Sequence, residues 1–440
     1  MTRLSLSLFF VIVYNCIMTK YRIVDLFAGI GGLRLGALKA IENRGDTTEI
    51  VFTSEIKPAA INVLKTNYPH DHISGDITKI SATEIPAHDV LLAGFPCQAF
   101  SYAGSRLGFK DKTKGTLFFD VLRVLEHHRP SYFILENVEG ILTHDKDPNI
   151  KPAPKYGRTI ETIIESLKKL GYKVDFALLN AAGFGVPQMR KRVFIIGSRY
   201  NEVSFPSEHE HAGLKTILEE RAVETDPKVL AFSELLLQSY APEFLVGKVV
   251  RDKRNGADNL HSWNFHYKGE TTAEEKKLME ALAIQSRRGS WAVRKGIKPV
   301  EGVPLNLADI SEFYTPGPAE PTFEMLERLT QLGYLVKPSA TTYRIKSGRL
   351  SFPITHILDP EKPAPTIVAT DANRLSVLTE TGLRRFTQVE LRRLFGFPDD
   401  FVIPANLRES QVFDLFGNSV VVPVADKVTD ALIYGRKNDA

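Results

Sequence analysis

Short apolar segments alternate with segments of helical periodicity along the first 200 residues of the chain. Runs of mostly apolar residues, of the length typical of buried strands, lie at residues 21–27, 49–55, 89–95, 131–137 and 191–197. Segments whose apolar residues recur at helical spacing lie between them, at residues 32–43, 58–68, 115–128 and 158–171. Strands separated by helices indicate βαβ units. The pattern therefore predicts an α/β fold with a doubly wound, mostly parallel sheet covered by helices on both faces.

The alternation stops after residue 200. Residues 201–380 carry few regular apolar periods and many Pro, Gly and charged residues, which predicts a second, smaller domain. A helical pattern returns from about residue 382, and we divide this part into a return segment, 381–416, and a C-terminal helix, 417–440. We expect the C-terminal helix to complete the first domain, which spans residues 18–200.

The N-terminal residues stand apart because residues 4–17 are almost all apolar. This run is too short to span a bilayer as a helix. Arg3 precedes it, as in a signal peptide, but no small-x-small cleavage site follows. Three interpretations of residues 1–17 stay open: an upstream start, a signal or anchor, and an additional ordered segment. We favour the first, in which the protein begins at Met18, directly before the first predicted strand.

Composition places few limits on function. The chain has 440 residues, of which 25% are charged and 43% hydrophobic, values typical of globular proteins. Two cysteines exclude a disulfide framework and favour a reducing compartment, which we take to be the cytoplasm. The net charge of +4 permits a polyanionic partner. Basic residues cluster without acidic ones at 287–298 and 337–349, and each cluster is either a phosphate-contacting surface or a solvated face.

The segment that follows the first predicted strand, DLFAGIGGLRLG at residues 25–36, has the composition of a ligand-binding turn. Glycines allow the backbone to approach a ligand, and the following helix offers free N–H groups. The dinucleotide fingerprint G-x-G-x-x-G fails because Arg34 occupies the third glycine position. Glu55 and Asp76 are expected at the same edge of the sheet, where open α/β folds bind ligands. These residues form either a nucleoside-type site or a tight turn beside solvated acids.

Cys97 and Glu136 are also expected at this edge, because one follows a predicted strand and the other lies at the end of one. Cysteine is a strong nucleophile only as its thiolate, which positive neighbours favour. Arg190 and Arg192, in the segment QMRKRVF, are candidates for such neighbours. From the residues alone, Cys97 is either a nucleophile or an inert loop cysteine. The segment EHEH at 208–211 is interpreted as solvated, and no metal is expected.

Six motifs follow one another along the chain: DLFAGIGG, GFPCQAFS, GTLFFD, ENV, Q-x-R-x-R and GNSV. In this order they resemble the bacterial DNA cytosine-5 methyltransferases of restriction-modification systems. The resemblance covers about residues 21–200 and 350–440, and the segment between them corresponds to the region that varies within that family. It implies an S-adenosylmethionine-dependent methyltransferase fold, with a catalytic domain at 18–200, a target-recognition domain at 201–380 and a hinge at 381–416.

The resemblance implies a covalent mechanism for methyl transfer to cytosine. Cys97 would attack carbon 6 of the base, and this addition would load electron density onto carbon 5, which accepts the methyl group. Glu136 would hold the ring N3 and the exocyclic amine. Arg190 and Arg192 would position the base and steady the loop that carries Cys97. Because a cytosine inside a duplex cannot be reached, the base must be flipped out of the helix.

The methyl donor implied by the resemblance is S-adenosylmethionine, which leaves as S-adenosylhomocysteine. The residues that match the cofactor motifs of the family are Phe27, Gly29, Gly31, Glu55, Ile56, Asp76, Pro96, Leu117, Asn418 and Val420. Among them, Glu55 would bind the ribose hydroxyls and Asp76 the adenine amine. Ile56 departs from the aromatic residue that relatives often carry, which predicts weaker stacking on adenine.

The resemblance implies double-stranded DNA as the partner. It also implies that the protein acts as a monomer, does not associate with a membrane and is functionally paired with a cognate restriction endonuclease. The residues expected to contact DNA are Gln98, Ser101, Arg287, Arg288, Arg294 and Thr366. Thr366 belongs to a Thr-Ile pair that is similar to the Thr-Leu pair of relatives. A tRNA cytosine-5 methyltransferase and a non-catalytic DNA-binding relative are the alternatives. The long insert before GNSV favours DNA, and the presence of Cys97 and Glu136 argues against loss of catalysis.

Overall fold

The computed structural model describes residues 18–96, 117–146, 154–209, 211–252, 257–286, 289–296, 303–314, 322–346, 352–368 and 372–435. These residues form two compact units, the first from residues 18–184, 191–208 and 419–435, and the second from residues 185–190 and 209–418.

The strands of the described ranges are β1 Lys20–Leu26, β2 Thr47–Ser54, β3 Ile73–Ser74, β4 Val90–Ala93, β5 Tyr132–Val138, β6 Lys173–Asn180, β7 Gln188–Met189, β8 Lys191–Ser198, β9 Val249–Val250, β10 Asn259–Leu260, β11 Leu335–Ser339, β12 Thr342–Ile345, β13 His356–Leu358, β14 Ala364–Pro365, β15 Leu375–Thr379 and β16 Gly382–Arg385. The α-helices of the same ranges are α1 Gly32–Glu42, α2 Pro58–Asn67, α3 Leu117–His128, α4 Arg158–Lys169, α5 Pro227–Ser239, α6 Pro242–Leu245, α7 Ala273–Gln285, α8 Ser290–Arg294, α9 Leu307–Ser311, α10 Phe323–Gln331, α11 Gln388–Leu394, α12 Glu409–Gly417 and α13 Val422–Tyr434. None of these described helices is long and apolar enough to cross a membrane.

A seven-stranded sheet in the order β3-β2-β1-β4-β5-β8-β6 forms the centre of the first unit. The first five strands of this order are parallel, whereas β8 runs antiparallel to both β5 and β6. From β1 the chain continues to β2 and β3 on one side and to β4 and β5 on the other, so the strand order reverses between β1 and β4. Open α/β sheets bind ligands at this position, outside the carboxyl ends of the strands. The prediction of an α/β fold with a mostly parallel sheet is confirmed.

Both faces of this sheet are buried. On one face, Leu26 and Phe133 pack with Val121 of α3 in a core that also includes α4. Side chains alternate between the two faces of a strand, so Ile23 and Ile134 point the other way, and they are fully buried as well. Helix α1 contacts β4, and α13 contacts β5 and β8, without contributing to the first core. The sheet is therefore doubly wound, as the alternating pattern predicted.

Helix α13, near the C-terminal end of the chain, packs closely against α1 in the first unit. A Cβ atom at Gly36 would lie 2.5 Å from the Cβ of Ala425 and 2.6 Å from the carbonyl oxygen of Val422. Real side chains do not tolerate such distances, so only glycine allows the two helices to approach this closely. The first unit is thus built from both ends of the chain.

Two hydrophobic clusters lie among the described residues of the second unit. A five-stranded sheet, in the order β10-β9-β13-β15-β16, packs with α5 around Phe232 and Ile357. Another cluster, around Trp263, Trp291 and Tyr343, joins α7, α8, α9 and α10 to the hairpin of β11 and β12. The strands of this unit are short, which explains why the sequence showed little periodicity here.

Candidate active site

The turn after β1 has the backbone conformation that its glycines suggested. Phe27, Gly29 and Gly31 have φ values of 55°, 57° and 85°, and Gly31 caps the N-terminus of α1. A non-glycine residue rarely adopts this left-handed conformation, so Phe27 marks a turn held in place by its surroundings. A Cβ atom at Gly29 would meet no atom within 4 Å, which leaves open space beside the turn. This arrangement fits a ligand that approaches the backbone closely.

Glu55, at the end of β2, is hydrogen-bonded to this turn. Its Oε2 accepts a hydrogen bond of 2.7 Å from the amide of Gly29, and its Oε1 accepts bonds of 2.8 Å from the amides of Ile56 and Lys57. Ile56 is 67% exposed beside it. The carboxylate of Glu55 therefore ties the turn after β1 to the start of α2 and lies in a fixed orientation.

Asp76 follows β3 on the same side of the switch point. Its carboxylate accepts hydrogen bonds from the amide and the hydroxyl of Thr78, at 3.1 and 2.8 Å. The hydrogen bond from the Thr78 hydroxyl is the main cause that lowers the pKa of Asp76, so the acid is a reliable acceptor at neutral pH. The turn after β1, Glu55 and Asp76 thus follow three adjacent parallel strands.

On the other side of the switch point, β4 leads towards Cys97. The Nδ2 of Asn137, in β5, donates a 2.8 Å hydrogen bond to the carbonyl of Phe95 and so fixes the chain just before the exposed Pro96. Cys97 itself lies outside the described residues, as do Gln98 and Ser101. Leu117 is the first residue of α3.

Glu136 and Arg192 form an ion pair at the end of β5. The Nε of Arg192 lies 3.1 Å from the Oε1 of Glu136, and the side chains are only 16% and 12% exposed. Burial lowers the pKa of Arg192, and the charge of Glu136 opposes this effect. A Cβ atom at Gly94, just after β4, would lie 3.6 Å from the Oε2 of Glu136. The carboxylate therefore faces the strand that leads to Cys97, and the arginine holds it there.

Arg190 belongs to the second unit, whereas Arg192 belongs to the first. Its two terminal nitrogens donate hydrogen bonds to the carbonyls of Ile367 and Gly417, at 2.9 and 3.0 Å. Thr366, which directly precedes Ile367, donates a 2.6 Å hydrogen bond to the carbonyl of Met189, the residue before Arg190. The two arginines of the Q-x-R-x-R motif, expected to act together on the base, thus have different partners.

The remaining predicted residues are dispersed. Asn418 is exposed and donates hydrogen bonds of 2.8 and 3.0 Å to Asp414, whereas Val420 is buried in the first unit just before α13. Arg294 is exposed at the end of α8. Arg287 and Arg288 lie outside the described residues. Among the residues that the structure describes, no group of three or more His, Cys, Asp or Glu could hold a metal ion.

Two buried ionisable residues, Asp25 and Arg34, lie beneath the glycine turn and were not predicted from the sequence. Asp25, inside β1, is 1% exposed, and its Oδ2 has no hydrogen-bond partner among the described residues. Burial raises its pKa to about 7, against the lowering effect of Arg34 and with a further rise from Glu55. Arg34, also 1% exposed, pairs with Asp71 and lies 4.0 Å over the ring of Tyr68. An acid within an apolar strand was the signal that would have revealed this pair.

Comparison with known proteins identifies the family of the chain. The sequence profile of the C-5 cytosine-specific DNA methylases matches residues 21–434. The chain belongs to this family. It is therefore a DNA cytosine-5 methyltransferase, as the motifs predicted. The tRNA-modifying alternative is not favoured.

Individual relatives resemble the chain over nearly its whole length. The Type II methyltransferases M.NlaIV of Neisseria lactamica and M.NgoBV of Neisseria gonorrhoeae are each 44% identical to it over 435 residues, which cover 95% of this chain and 100% of each relative. M.BanI of Aneurinibacillus aneurinilyticus is 36% identical over 96% of this chain and 97% of its own. A solved structure of a candidate DNA modification methyltransferase from a prophage (E. coli) covers 93% of this chain and 98% of its own, with 19% identity and a TM-score of 0.50. At 19% identity, the similarity to this solved structure shows the fold alone.

Proposed function

We propose that this methylase is sequence-specific and transfers a methyl group to carbon 5 of a cytosine flipped out of duplex DNA. The observation that carries the proposal is the Glu136–Arg192 ion pair at the end of β5, beside the strand that leads to Cys97. Two relatives that are 44% identical to the chain are named Type II methyltransferases, which supports pairing with a cognate restriction endonuclease. We further propose that the enzyme acts as a monomer in the cytoplasm, where bacterial DNA lies.

In this proposal Cys97 and Glu136 act on opposite parts of the same ring. The Cys97 thiolate forms a bond to carbon 6, and the electron pair displaced from the C5–C6 double bond makes carbon 5 nucleophilic. Glu136, held by Arg192, provides a proton at N3 that stabilises the negative charge brought in by the thiolate. After methylation, a solvent water molecule takes the carbon 5 proton, the electron pair of that C–H bond restores the C5–C6 double bond, and the Cys97 thiolate leaves with the electron pair of the C6–S bond. The proton at N3 returns to Glu136, which restores the aromatic ring and the free enzyme.

S-adenosylmethionine is the cofactor that the family uses in general, and it supplies an electrophilic methyl group. We assign it to the side of the switch point that carries the turn after β1. Open space beside Gly29 and the fixed carboxylate of Glu55 support this assignment. Glu55 would accept hydrogen bonds from the ribose hydroxyls, and Asp76 one from the adenine amine. The exposed Ile56 would cover one face of the adenine.

We assign target recognition to the second unit and, within it, to the hairpin of β11 and β12. A two-stranded ribbon fits the major groove of B-DNA. Arg344 pairs with Val336 across the hairpin and is exposed, as is Lys346 just beyond it. Neither basic side chain has an ion-pair partner within the described ranges, whereas Lys337 of the same hairpin is bound by Glu327. Arg344 is the candidate for reading a guanine, with Arg294 on α8 as a phosphate contact.

Bisulfite sequencing of plasmid DNA tests this function and reveals the target at once. The full chain is expressed in a host without cytosine methylation, beside a Cys97→Ala variant. We expect complete protection of cytosines at one short sequence with the wild type and none with the variant, although the variant should still bind DNA. Methylation scattered over unrelated sequences would refute specificity, and methylation by Cys97→Ala would refute the covalent mechanism.

A further inference from the structure

The segment that carries Thr366 is held along its length by residues 187–190 of the second unit. The amide of Ala364 donates a 2.8 Å hydrogen bond to the carbonyl of Pro187, and β14 pairs with β7 in parallel. Thr366 donates to the carbonyl of Met189, and the amide of Ile367 donates a 3.3 Å bond to the Oε1 of Gln188. The position of Thr366 is therefore fixed by the Q-x-R-x-R motif.

Gln188 and Arg190 also bind the ends of two helices. The Nε2 of Gln188 donates a 3.1 Å hydrogen bond to the carbonyl of Leu394, the last residue of α11. Arg190 donates to the carbonyl of Gly417, the last residue of α12, and its guanidinium lies 5.3 Å from the centre of the Phe395 ring. Terminal helix carbonyls lack partners within their own helix and attract positive charge. The side chains of Gln188 and Arg190, which are 0% and 2% exposed, provide hydrogen-bond donors for these carbonyls inside the protein.

We propose that Gln188 and Arg190 are positioning residues, and that Arg190 sets the geometry of two separate binding segments. One segment carries Thr366, assigned to DNA, and the other ends at Gly417, directly before Asn418, assigned to the cofactor. The inference rests on the proposed function, and the assignments of Thr366 to DNA and of Asn418 to the cofactor rest on the family motifs. It divides the motif by role: Arg192 orients the acid that acts on the base, whereas Arg190 acts through backbone carbonyls and does not contact the base.

The chemistry of the guanidinium explains why an arginine is required. Its planar fork carries several donors in fixed directions and can bind two carbonyls at once. A lysine would preserve the charge but would bring a single ammonium group on a flexible stem, which cannot hold both carbonyls in the same geometry. Arg190→Lys therefore separates the bridging geometry from the charge.

The test compares full-length Arg190→Lys with Arg393→Lys, a matched change in the same unit. Arg393 makes two hydrogen bonds to Asp399 at the surface and a longer one, of 3.5 Å, to the carbonyl of Ile217. We expect Arg190→Lys to weaken binding of S-adenosylhomocysteine, measured by calorimetry, and of duplex DNA carrying the target, each by about tenfold, as loss of one charge-assisted hydrogen bond implies. The single-turnover methylation rate at saturating DNA and cofactor should stay unchanged. Arg393→Lys should match the wild type in all three measurements.

Gln188→Met provides a second variant if Arg190→Lys fails to fold. Methionine has a similar length but cannot bond to Ile367 or Leu394, so DNA binding should weaken while affinity for S-adenosylhomocysteine stays unchanged. A lower saturating rate with unchanged affinities in Arg190→Lys would place that residue at the base and overturn the proposal. A lower melting temperature with wild-type affinities and rate would overturn it too. Absence of methylation by the wild type would instead count against the proposed function, because the two affinities are measured independently of turnover.

Discussion

The two units hold their charged groups in different ways. In the first unit, Glu136 and Arg192 lie on long antiparallel neighbours, β5 and β8, which pair over seven consecutive positions. In the second unit, short strands and helices are joined by buried polar contacts, and the clearest is the pair of Arg384 and Glu390, only 3% and 0% exposed. The extended sheet gives the reacting groups a rigid frame. The second unit depends more on individual polar contacts, and this difference can be tested in each unit separately.

The largest effect is expected from Glu136→Gln in the first unit. The amide keeps the shape of the side chain but cannot deliver a proton to N3, so the single-turnover rate should fall by about two to four orders of magnitude, the usual contribution of general acid catalysis. Glu139→Gln, at an exposed position three residues later, is the control. A wild-type rate in Glu136→Gln would show that the Glu136–Arg192 pair is structural, like the pair in the second unit.

Glu390→Gln should destabilise the second unit strongly. The Glu390 carboxylate accepts hydrogen bonds of 2.7 and 2.8 Å from Arg384 and another from the amide of Glu219. Neutralising it leaves a buried arginine without its counter-charge, which typically costs about 3–5 kcal/mol of unfolding free energy.

Tryptophan fluorescence during urea unfolding measures this loss, because both tryptophans of the chain, Trp263 and Trp291, lie in the second unit. Asp399→Asn breaks the exposed pair with Arg393 and should change the transition little. If the two variants unfold alike, the buried pair does not stabilise the second unit.

A smaller effect is expected from Arg344→Ala on the β11–β12 hairpin. Loss of a base contact should cost about 1–3 kcal/mol and relax the target at one position. Lys346→Ala should instead weaken binding to all sequences alike and reduce the salt slope by about one unit, as for a phosphate contact.

Methylation of a plasmid library, combined with a salt titration of binding, separates these results. Lys337→Ala is the matched control, because Glu327 already binds that lysine. If Arg344 and Lys346 behave like Lys337, the hairpin is a solvated face, and recognition lies elsewhere in the second unit.

The last prediction concerns the pH dependence of stability in the first unit. Burial raises the pKa of Asp25 from 3.8 to about 7, with Arg34 and Glu55 as its charged neighbours. Between about pH 4 and 7 the folded state therefore holds a proton that the unfolded state has lost. By linkage, the stability contributed by Asp25 is full below this range, falls as pH rises through it and is constant above it.

Asp25→Asn cannot titrate and should remove this dependence. The wild-type free energy of unfolding minus that of the variant should decrease from pH 4 to pH 7, as measured by calorimetry, with Asp175→Asn at an exposed position of β6 as the control. A constant difference over this range would mean that Asp25 is ionised throughout.

The sequence predicted most of the first unit because its strands are buried on both faces and are separated by amphipathic helices. It missed β6, an edge strand in which exposed and half-buried residues alternate without a strong apolar run. It also missed β3, which has only two residues. Predictions for the second unit stopped at composition, since its cores join residues that are far apart in sequence.

The two motif arginines show the same limit within the site. They are two positions apart, and the sequence suggested one shared role for them. Arg190, however, binds Ile367 and Gly417, which are 177 and 227 residues away along the chain. No local pattern encodes such partners. The glycine turn and Glu55, by contrast, were predictable because both follow adjacent strands of a parallel sheet.

The close packing of α1 on α13 at Gly36 has a consequence for synthesis on the ribosome. The first unit contains residues 18–184, but its helix α1 meets its partner only when residues 422–434 have been translated. Domains usually fold as units while the chain emerges, yet this one must wait until the second unit has been made. A nascent or prematurely terminated chain without α13 therefore lacks a finished catalytic unit, and we expect only chains translated through α13 to modify DNA.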